Sequence, residues 1–222
     1  MDTSLSREIP VVPKEAALLF IDVQNYCATP EGGEFRELDS GVLTKQYGYF
    51  FDRLEQVALP NMQRLQTGCR DAGIEVLYTV IESLTQDGRD RSLDYKITGF
   101  NVPKGSWDAK VVDAIAPHDD EIVIPKTASS VFNATNIEYV LRNLGVNYLI
   151  IGGLVTDQCV ESAVRDACDR GFLVTLVTDA CATYSQERHD NSLRAIQGYC
   201  RQTTTDALLH ELSSSNKASA QQ

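Results

Sequence analysis

The sequence predicts a three-layer α/β protein in which a six-stranded, mostly parallel sheet lies between two layers of helices. Short apolar runs alternate with longer amphipathic segments along the chain, a pattern typical of parallel strands joined by helices. Glycines follow several of the amphipathic segments, where helices commonly end.

The first half of the chain contains three predicted strands. Residues 16–22 and 74–81 are apolar runs of strand length, and residues 121–125 form a shorter one. The helix before the second strand is predicted to begin near Pro60, because proline fits the first helical turn. It is predicted to end at Gly73.

The second half continues the alternation. Thr135, three residues before Glu138, forms a capping box, so a helix is predicted from there to Gly145. Residues 146–151 and 172–177 are the fourth and fifth apolar runs. The remaining elements are an amphipathic helix that ends at Gly171, a helix over about 187–199 and a short strand near 201–204.

One domain is expected to span residues 14–212. The chain has 222 residues, of which 43% are hydrophobic and 23% charged, as in ordinary globular proteins. Residues 1–13 are an N-terminal arm, and the small polar residues 213–222 are expected to form a disordered tail.

The composition argues against nucleic acids and membranes as partners. Twenty Lys and Arg residues against 31 Asp and Glu residues give a net charge of −11, which repels phosphate backbones and anionic lipids. No apolar run approaches the ~20 residues of a membrane span. The first apolar run ends at Asp22 rather than at a signal cleavage site. We therefore expect a cytoplasmic protein with a small-molecule substrate.

The cysteines and histidines show no metal-binding pattern. The three histidines occur singly, and no Cys-x-x-Cys pair is present, so neither a metal nor another cofactor is expected, although a carboxylate-only site stays open. Free thiols are expected because no secretory signal precedes the six cysteines, which are Cys27, Cys69, Cys159, Cys168, Cys181 and Cys200.

Two segments lack helical periodicity. Residues 28–51 are rich in Gly, Glu and aromatic side chains, and residues 82–106 carry several basic side chains and three glycines. Both follow predicted strands, beyond whose carboxyl ends ligands bind in open α/β sheets, so they are candidate substrate loops. Solvated insertions or subunit contacts are the alternative interpretation.

Three reactive side chains lie where predicted strands end, namely Asp22, Lys126 and Cys159. Neighbouring strand ends converge on one cleft. A helix N-terminus and a nearby ammonium favour the thiolate of Cys159, and a carboxylate can carry its proton. Taken singly, each residue fits a structural role as a turn cap, a solvated charge or a small buried group. The occurrence of all three residues at strand ends favours a catalytic role.

Three ordered segments carry a resemblance to a known family. They contain Phe20-Ile21-Asp22-Val23-Gln24-Asn25, then Ile124-Pro125-Lys126, then Gly152-Gly153-Leu154-Val155-Thr156-Asp157-Gln158-Cys159. They closely resemble the signature segments of the isochorismatase-like cysteine hydrolases, over about residues 15–185. The resemblance implies a Rossmann-like six-stranded parallel sheet and a catalytic triad of Asp22, Lys126 and Cys159 that cleaves amides.

The resemblance also implies a cis peptide bond between Leu154 and Val155, neither of which is proline. This bond would direct the Val155 N–H, together with the Cys159 N–H, toward the oxyanion that develops on the substrate.

Comparison within the family favours a ureide or amide substrate. Nicotinamidases hold a metal with histidines, but no histidine precedes His118 here. Hydrolases of the isochorismate vinyl ether do not need a thiol, so Cys159 favours acyl transfer. Residues 24–33 and 104–108 resemble ureidoacrylate, biuret and N-carbamoyl amidohydrolases, whereas residues 127–132 depart from the ureidoacrylate pattern.

The resemblance therefore implies a cysteine-dependent amidohydrolase that releases ammonia from a small ureido, carbamoyl or amide compound through an acyl-thioester. A vinyl-ether hydrolase and a catalytically silent binding module are the alternatives. Family members are usually oligomers in which a neighbour often contributes to the pocket rim, so a homodimer or homotetramer is expected. Candidate pocket residues, for which core packing is the alternative, are Asn25, Tyr26, Trp107 and Phe132.

Overall fold

The backbone of residues 6–219 is described by a computed structural model, with side chains described to residue 214. Six strands form one sheet, β1 (Ala16–Ile21), β2 (Glu75–Ile81), β3 (Ile122–Lys126), β4 (Tyr148–Leu154), β5 (Leu173–Ala182) and β6 (Arg201–Thr203). Their order is β3-β2-β1-β4-β5-β6, and every neighbouring pair is parallel. This arrangement confirms the predicted fold class.

The central strand β1 is apolar and buried along its whole length, as expected for a parallel sheet covered on both faces. Its side chains alternate between two hydrophobic clusters, because successive residues of a strand point to opposite faces. Leu18 and Phe20 belong to one cluster, and Leu19 and Ile21 belong to the other.

Helices cover both faces of the sheet. The helices are α1 (Asn25–Ala28), α2 (Ser40–Arg53), α3 (Leu59–Asp71), α4 (Leu93–Thr98), α5 (Val131–Ala134), α6 (Ile137–Asn143), α7 (Glu161–Asp169), α8 (Gln186–Ile196) and α9 (Thr205–Ser219). α2, α3 and α9 contribute buried side chains to the cluster of Phe20, whereas α6, α7 and α8 contribute to the cluster of Ile21. Within residues 6–219, no helix has the length and apolarity needed to cross a membrane.

The helix before β2 is α3, which begins at Leu59, so the prediction that it begins near Pro60 is confirmed. It is preceded by α2, which begins at Ser40 and was not predicted. The Asp39 side chain caps its first turn by accepting a hydrogen bond from Gly41 N. A π-helical turn over Leu54–Ala58 then joins α2 to α3 directly before Pro60. Proline lacks an N–H and its ring crowds the preceding turn, so the wider turn lets the helix pass through it.

The N-terminal arm contacts the last helix, and that helix extends into the predicted tail. Val11 of the N-terminal arm is buried, and its N–H donates to Glu211 Oε1 of α9 at 2.9 Å. α9 continues through residues 213–219, where the sequence predicted a disordered tail, because extending an existing helix avoids the cost of nucleating a new one. Residues 1–5 and 220–222 of the arm and the tail lie outside the described residues.

Gly153, at the end of β4, lies against the backbone of β1. Its φ is +132°, and a Cβ there would lie 2.3 Å from Ile21 O. Gly153→Ala is therefore expected to destabilise the protein by about 3 kcal/mol or more, from backbone strain and the clash together. Urea unfolding measures this. Gly198→Ala is the control, because no atom lies within 4 Å of its added Cβ, and equal stability of the two variants would contradict the prediction.

Candidate active site

Asp22, Lys126 and Cys159 meet at the carboxyl edge of the sheet. Asp22 directly follows β1, Lys126 ends β3, and Cys159 lies in a π-helical turn over Thr156–Val160, between β4 and α7. β2 separates β3 from β1, and the long Lys126 side chain reaches across its end. The Lys126 Nζ lies 2.7 Å from Asp22 Oδ2 and 3.4 Å from Cys159 Sγ.

Lys126 is fully buried, and its ammonium group contacts four neighbouring groups. Besides its contacts with Asp22 and Cys159, Nζ donates to Tyr95 Oη at 3.1 Å and to Ala128 O at 2.9 Å. Burial by itself lowers the pKa of Lys126, but the Asp22 charge and the neighbouring Cys159 and Tyr95 raise it well above its ordinary value. The ammonium therefore stays charged inside the protein.

The Asp22 carboxylate is held in place from the neighbouring strand. Thr79 Oγ1 of β2 donates to Asp22 Oδ1 at 2.7 Å, and Asp22 N donates to Thr79 O at 3.1 Å. Asp22 has a φ of +54°, a left-handed conformation that aspartate tolerates better than most residues. Buried Gln24 joins the ends of β1 and β2, since its Nε2 donates to Ile81 O at 2.9 Å and its Oε1 accepts from Ile81 N. Oδ2 of Asp22 is thereby directed toward Lys126.

Burial of Cys159 favours its protonated thiol and so opposes the effect of Lys126, which was expected to favour the thiolate. Burial raises the pKa of Cys159 to about 12; Lys126 lowers it, whereas the Asp22 charge and the hydrogen bond to Asp22 raise it further. The loss of water around the buried sulfur, which opposes the ammonium and the helix N-terminus, exists only in the folded protein. Deprotonation must therefore accompany attack, with Asp22 in place to accept the proton.

The peptide bond between Leu154 and Val155 is cis, as the family resemblance implied. Both residues line the cavity above Cys159. The turn that follows is anchored from α8: Thr156 Oγ1 lies 2.9 Å from His189 Nδ1, and Arg188 Nε donates to Asp157 Oδ2 at 2.6 Å. Burial lowers the pKa of His189 to about 4, so the imidazole in this anchor is neutral near pH 7.

A narrow cavity leads to the thiol. Its volume is about 20 Å³, room for about one water molecule. It is lined by Asp22, Cys27, Glu34, Ile81, Phe100, Leu154, Val155, Gln158, Cys159 and Tyr184. A wider cavity of about 410 Å³ shares four of these residues and adds Gln46, Tyr47, Thr98 and Arg188. Its size suits a small substrate, and we call it the vestibule.

The four predicted pocket residues do not line the narrow cavity. Asn25 Nδ2 donates to Trp107 O at 3.0 Å, and the Tyr26 ring packs edge-on against Phe100, so both lie behind the wall. Trp107 is half-exposed in a short turn, and Phe132 packs in the hydrophobic cluster on the opposite face from α3. For Tyr26 and Phe132, the structure supports core packing, which was the alternative to a role in the pocket.

Sequence reasoning missed the residues that do form the wall. Glu34 and Phe100 come from the two irregular segments, residues 28–51 and 82–106, which were predicted only as whole loops. Tyr95, which accepts from Lys126, lies in the second of them on α4. Among the described residues, no group of three or more His, Cys, Asp or Glu side chains is placed to hold a metal ion.

Asp22→Asn is expected to speed alkylation of Cys159 by iodoacetamide at pH 8 while slowing any turnover. The substitution removes the charge that raises the pKa of Cys159 and leaves Lys126, which lowers it. Each unit of fall in pKa increases the thiolate about 10-fold. Mass spectrometry of the Cys159 peptide measures the rate, with half-buried Cys168 as the internal reference. Wild-type Cys159 reacting faster than free cysteine near pH 7 would contradict a protonated resting thiol.

The chain matches one family model over most of its length. The model describes the isochorismatase domain and matches residues 16–207. The ureidoacrylate amidohydrolase of Rhizobium rhizogenes (strain K84) is 29% identical over 188 residues, which are 78% of this chain and 72% of that protein. The isochorismatase of Bacillus subtilis (strain 168) is 30% identical over 208 residues, which are 90% of this chain and 59% of that protein.

Solved structures show the same fold. A cysteine hydrolase from Pseudomonas syringae pv. phaseolicola superposes with a TM-score of 0.80 at 23% identity, covering 93% of this chain and 96% of that one. The N-carbamoylsarcosine amidase of Thermoplasma acidophilum gives a TM-score of 0.65 at 22% identity, covering 86% of this chain and 97% of that one.

Proposed function

Because the chain belongs to the isochorismatase family, we propose that it is a cysteine-dependent amidohydrolase that releases ammonia from a small ureido, carbamoyl or amide compound. The observation that carries this proposal is the contact of one buried ammonium with both a carboxylate and a thiol, at 2.7 and 3.4 Å. The similarity to a ureidoacrylate amidohydrolase supports the same kind of bond.

The reaction begins at the protonated thiol. As Cys159 Sγ attacks the substrate carbonyl, its proton passes to Asp22, and Lys126 stabilises the negative charge on sulfur during the transfer. A thiol of raised pKa is a stronger nucleophile once deprotonated. Coupling proton transfer to attack therefore uses this reactivity without accumulating a buried thiolate.

The oxyanion formed by this attack needs hydrogen-bond donors. We assign that role to the Val155 and Cys159 N–H groups, because both residues line the narrow cavity. Each such donor typically contributes about 3–4 kcal/mol to transition-state stabilisation.

Collapse of this intermediate breaks the carbon–nitrogen bond. The protonated Asp22 donates its proton to the departing nitrogen, which leaves an acyl-thioester on Cys159. Asp22 then takes a proton from an incoming water that attacks the thioester, and the released sulfur regains a proton. A ureido substrate leaves carbamate as the second product.

Vinyl-ether hydrolysis and catalytically silent binding are also compatible with the fold, but neither explains the buried ion pair beside a thiol. Hydrolysis of a vinyl ether needs no nucleophilic thiol, and a silent binding module needs no buried ion pair. An ion pair of this kind is costly to desolvate, and hydrophobic replacements often stabilise a protein. Its presence beside a thiol is therefore better explained by chemistry than by stability.

Ammonia release from a substrate panel tests the proposal. The panel contains biuret, a ureidoacrylate-type acid, N-carbamoyl amino acids and simple amides, with isochorismate as the vinyl-ether comparison. We expect ammonia from at least one carbon–nitrogen substrate and, after rapid quenching, an acyl adduct on the Cys159 peptide. Turnover of isochorismate without ammonia from any panel member would overturn the proposal.

A further inference from the structure

Glu34 places a carboxyl group in the wall of the narrow cavity above Cys159. Its Oε1 accepts a hydrogen bond from Tyr184 Oη at 2.6 Å, and its backbone N–H donates to Tyr26 O at 3.1 Å. No Lys, Arg or His side chain of the described residues forms an ion pair with it. The proposed reaction gives this carboxyl group no role.

The charge of the cavity wall is one-sided. Glu34 and Asp22 are its acidic members, and none of the described residues that line it is basic. Lys126, which is next to this wall, is already paired with Asp22 at 2.7 Å. Arg188 of the vestibule is paired with Asp157 at 2.6 Å and stacks on the Tyr184 ring at 4.9 Å. A substrate carboxylate beside Glu34, which lines both the narrow cavity and the vestibule, would face a carboxylate that has no ion-pair partner among the described residues.

We propose, on the basis of the amidohydrolase function above, that Glu34 and Tyr184 bind the N–H groups of an uncharged ureide, one that has N–H groups on both sides of the scissile carbonyl. The carboxylate of Glu34 accepts these hydrogen bonds, and the Tyr184 hydroxyl holds it in position. The same carboxylate disfavours ureido acids, whose negative charge it repels. Glu34 is thus a specificity-determining residue.

The protonation of Glu34 adds a pH dependence to this binding. Burial raises the pKa of Glu34 to about 7, while the Tyr184 hydrogen bond lowers it. The groups that face it are Tyr26 and Cys27 of α1 and Tyr184 after β5. All three have raised pKa values and stay neutral near pH 7. Asp22, which is paired with Lys126, lines the same cavity, and Arg188 lines the vestibule. KM for an uncharged ureide is therefore expected to rise as pH falls through about 7.

The test compares biuret, which is uncharged, with N-carbamoylglycine, which carries a carboxylate. We expect the wild-type protein to favour biuret in kcat/KM by about 10- to 100-fold, the effect of one charge-assisted hydrogen bond. Glu34→Gln should raise KM for biuret about 10-fold with little change in kcat. It should also reduce the preference for biuret over N-carbamoylglycine and abolish the pH dependence of KM. Glu37→Gln, an exposed substitution in the same segment, should change none of these.

The results of this test distinguish failure of the Glu34 proposal from failure of the amidohydrolase function on which it rests. Ammonia from N-carbamoylglycine at equal or greater efficiency would overturn the binding role of Glu34 while leaving the amidohydrolase function intact. An unchanged KM for biuret in Glu34→Gln would do the same. Ammonia from neither compound nor from any other panel member would overturn both proposals. Thermal unfolding of each variant verifies that the comparison is made between folded proteins.

Discussion

Replacing Cys159 with serine is expected to lower kcat for ammonia release by about 10⁴-fold or more, the scale on which loss of a nucleophile acts in hydrolases. A serine hydroxyl is far less acidic than a thiol, so Asp22 cannot remove its proton during attack. The side chain is nearly isosteric, and the protein should remain folded. A coupled assay of ammonia, run with the best substrate of the panel, measures the loss.

Cys168→Ser is the matched control for this experiment. Cys168 lies on α7, is half-buried and does not line the narrow cavity, so its replacement should leave turnover unchanged. A trapped acyl adduct should appear in Cys168→Ser and be absent from Cys159→Ser. Undiminished turnover in Cys159→Ser would remove the nucleophile from the proposed mechanism.

Lys126→Met is expected to lower both activity and stability. It leaves the buried Asp22 carboxylate without the ammonium that lies 2.7 Å away, and breaking a buried pair from one side typically costs about 3–5 kcal/mol. It also removes the charge that stabilises sulfur during attack, so kcat should fall by about 10³-fold or more. Urea unfolding and the ammonia assay measure the two effects.

The double variant Asp22→Asn with Lys126→Met separates charge from packing. Removing both charges leaves no uncompensated ion, so most of the lost stability should return while activity stays absent. Lys45→Met, at an exposed position of α2, should alter neither quantity. A Lys126→Met variant as stable as wild type would show that Asp22 finds another partner.

The sheet could be predicted because its signal is local. Strands buried on both faces appear as continuous apolar runs, as residues 16–21 do, and glycines mark the ends of the helices between them. α2 escaped prediction because Gly48 and the four aromatic residues within 47–51 obscure its periodicity. Proline at position 60 indicated the start of α3, but the π-helical turn that joins α3 to α2 depends on packing that no local pattern shows.

The triad could be predicted because topology brings strand ends together. Asp22 and Cys159 follow neighbouring strands, and Lys126 is long enough to reach across the strand between. Glu34 offered no such signal, since a single glutamate in a glycine-rich stretch is usually solvated. Its place beside Cys159 arises from the path of an irregular loop. The protonation state of Cys159 could not be predicted either, because the burial that raises its pKa exists only in the folded chain.

A protonated resting thiol also affects how Cys159 meets oxidants. Peroxides oxidise the thiolate rather than the thiol, and the raised pKa of Cys159 leaves very little thiolate in the free protein. The narrow cavity further limits access to sulfur. The protein should therefore keep its nucleophile through exposure to hydrogen peroxide that converts low-pKa cysteines to sulfenic acid. Vulnerability to such damage is confined to the brief interval of each turnover in which the sulfur is charged.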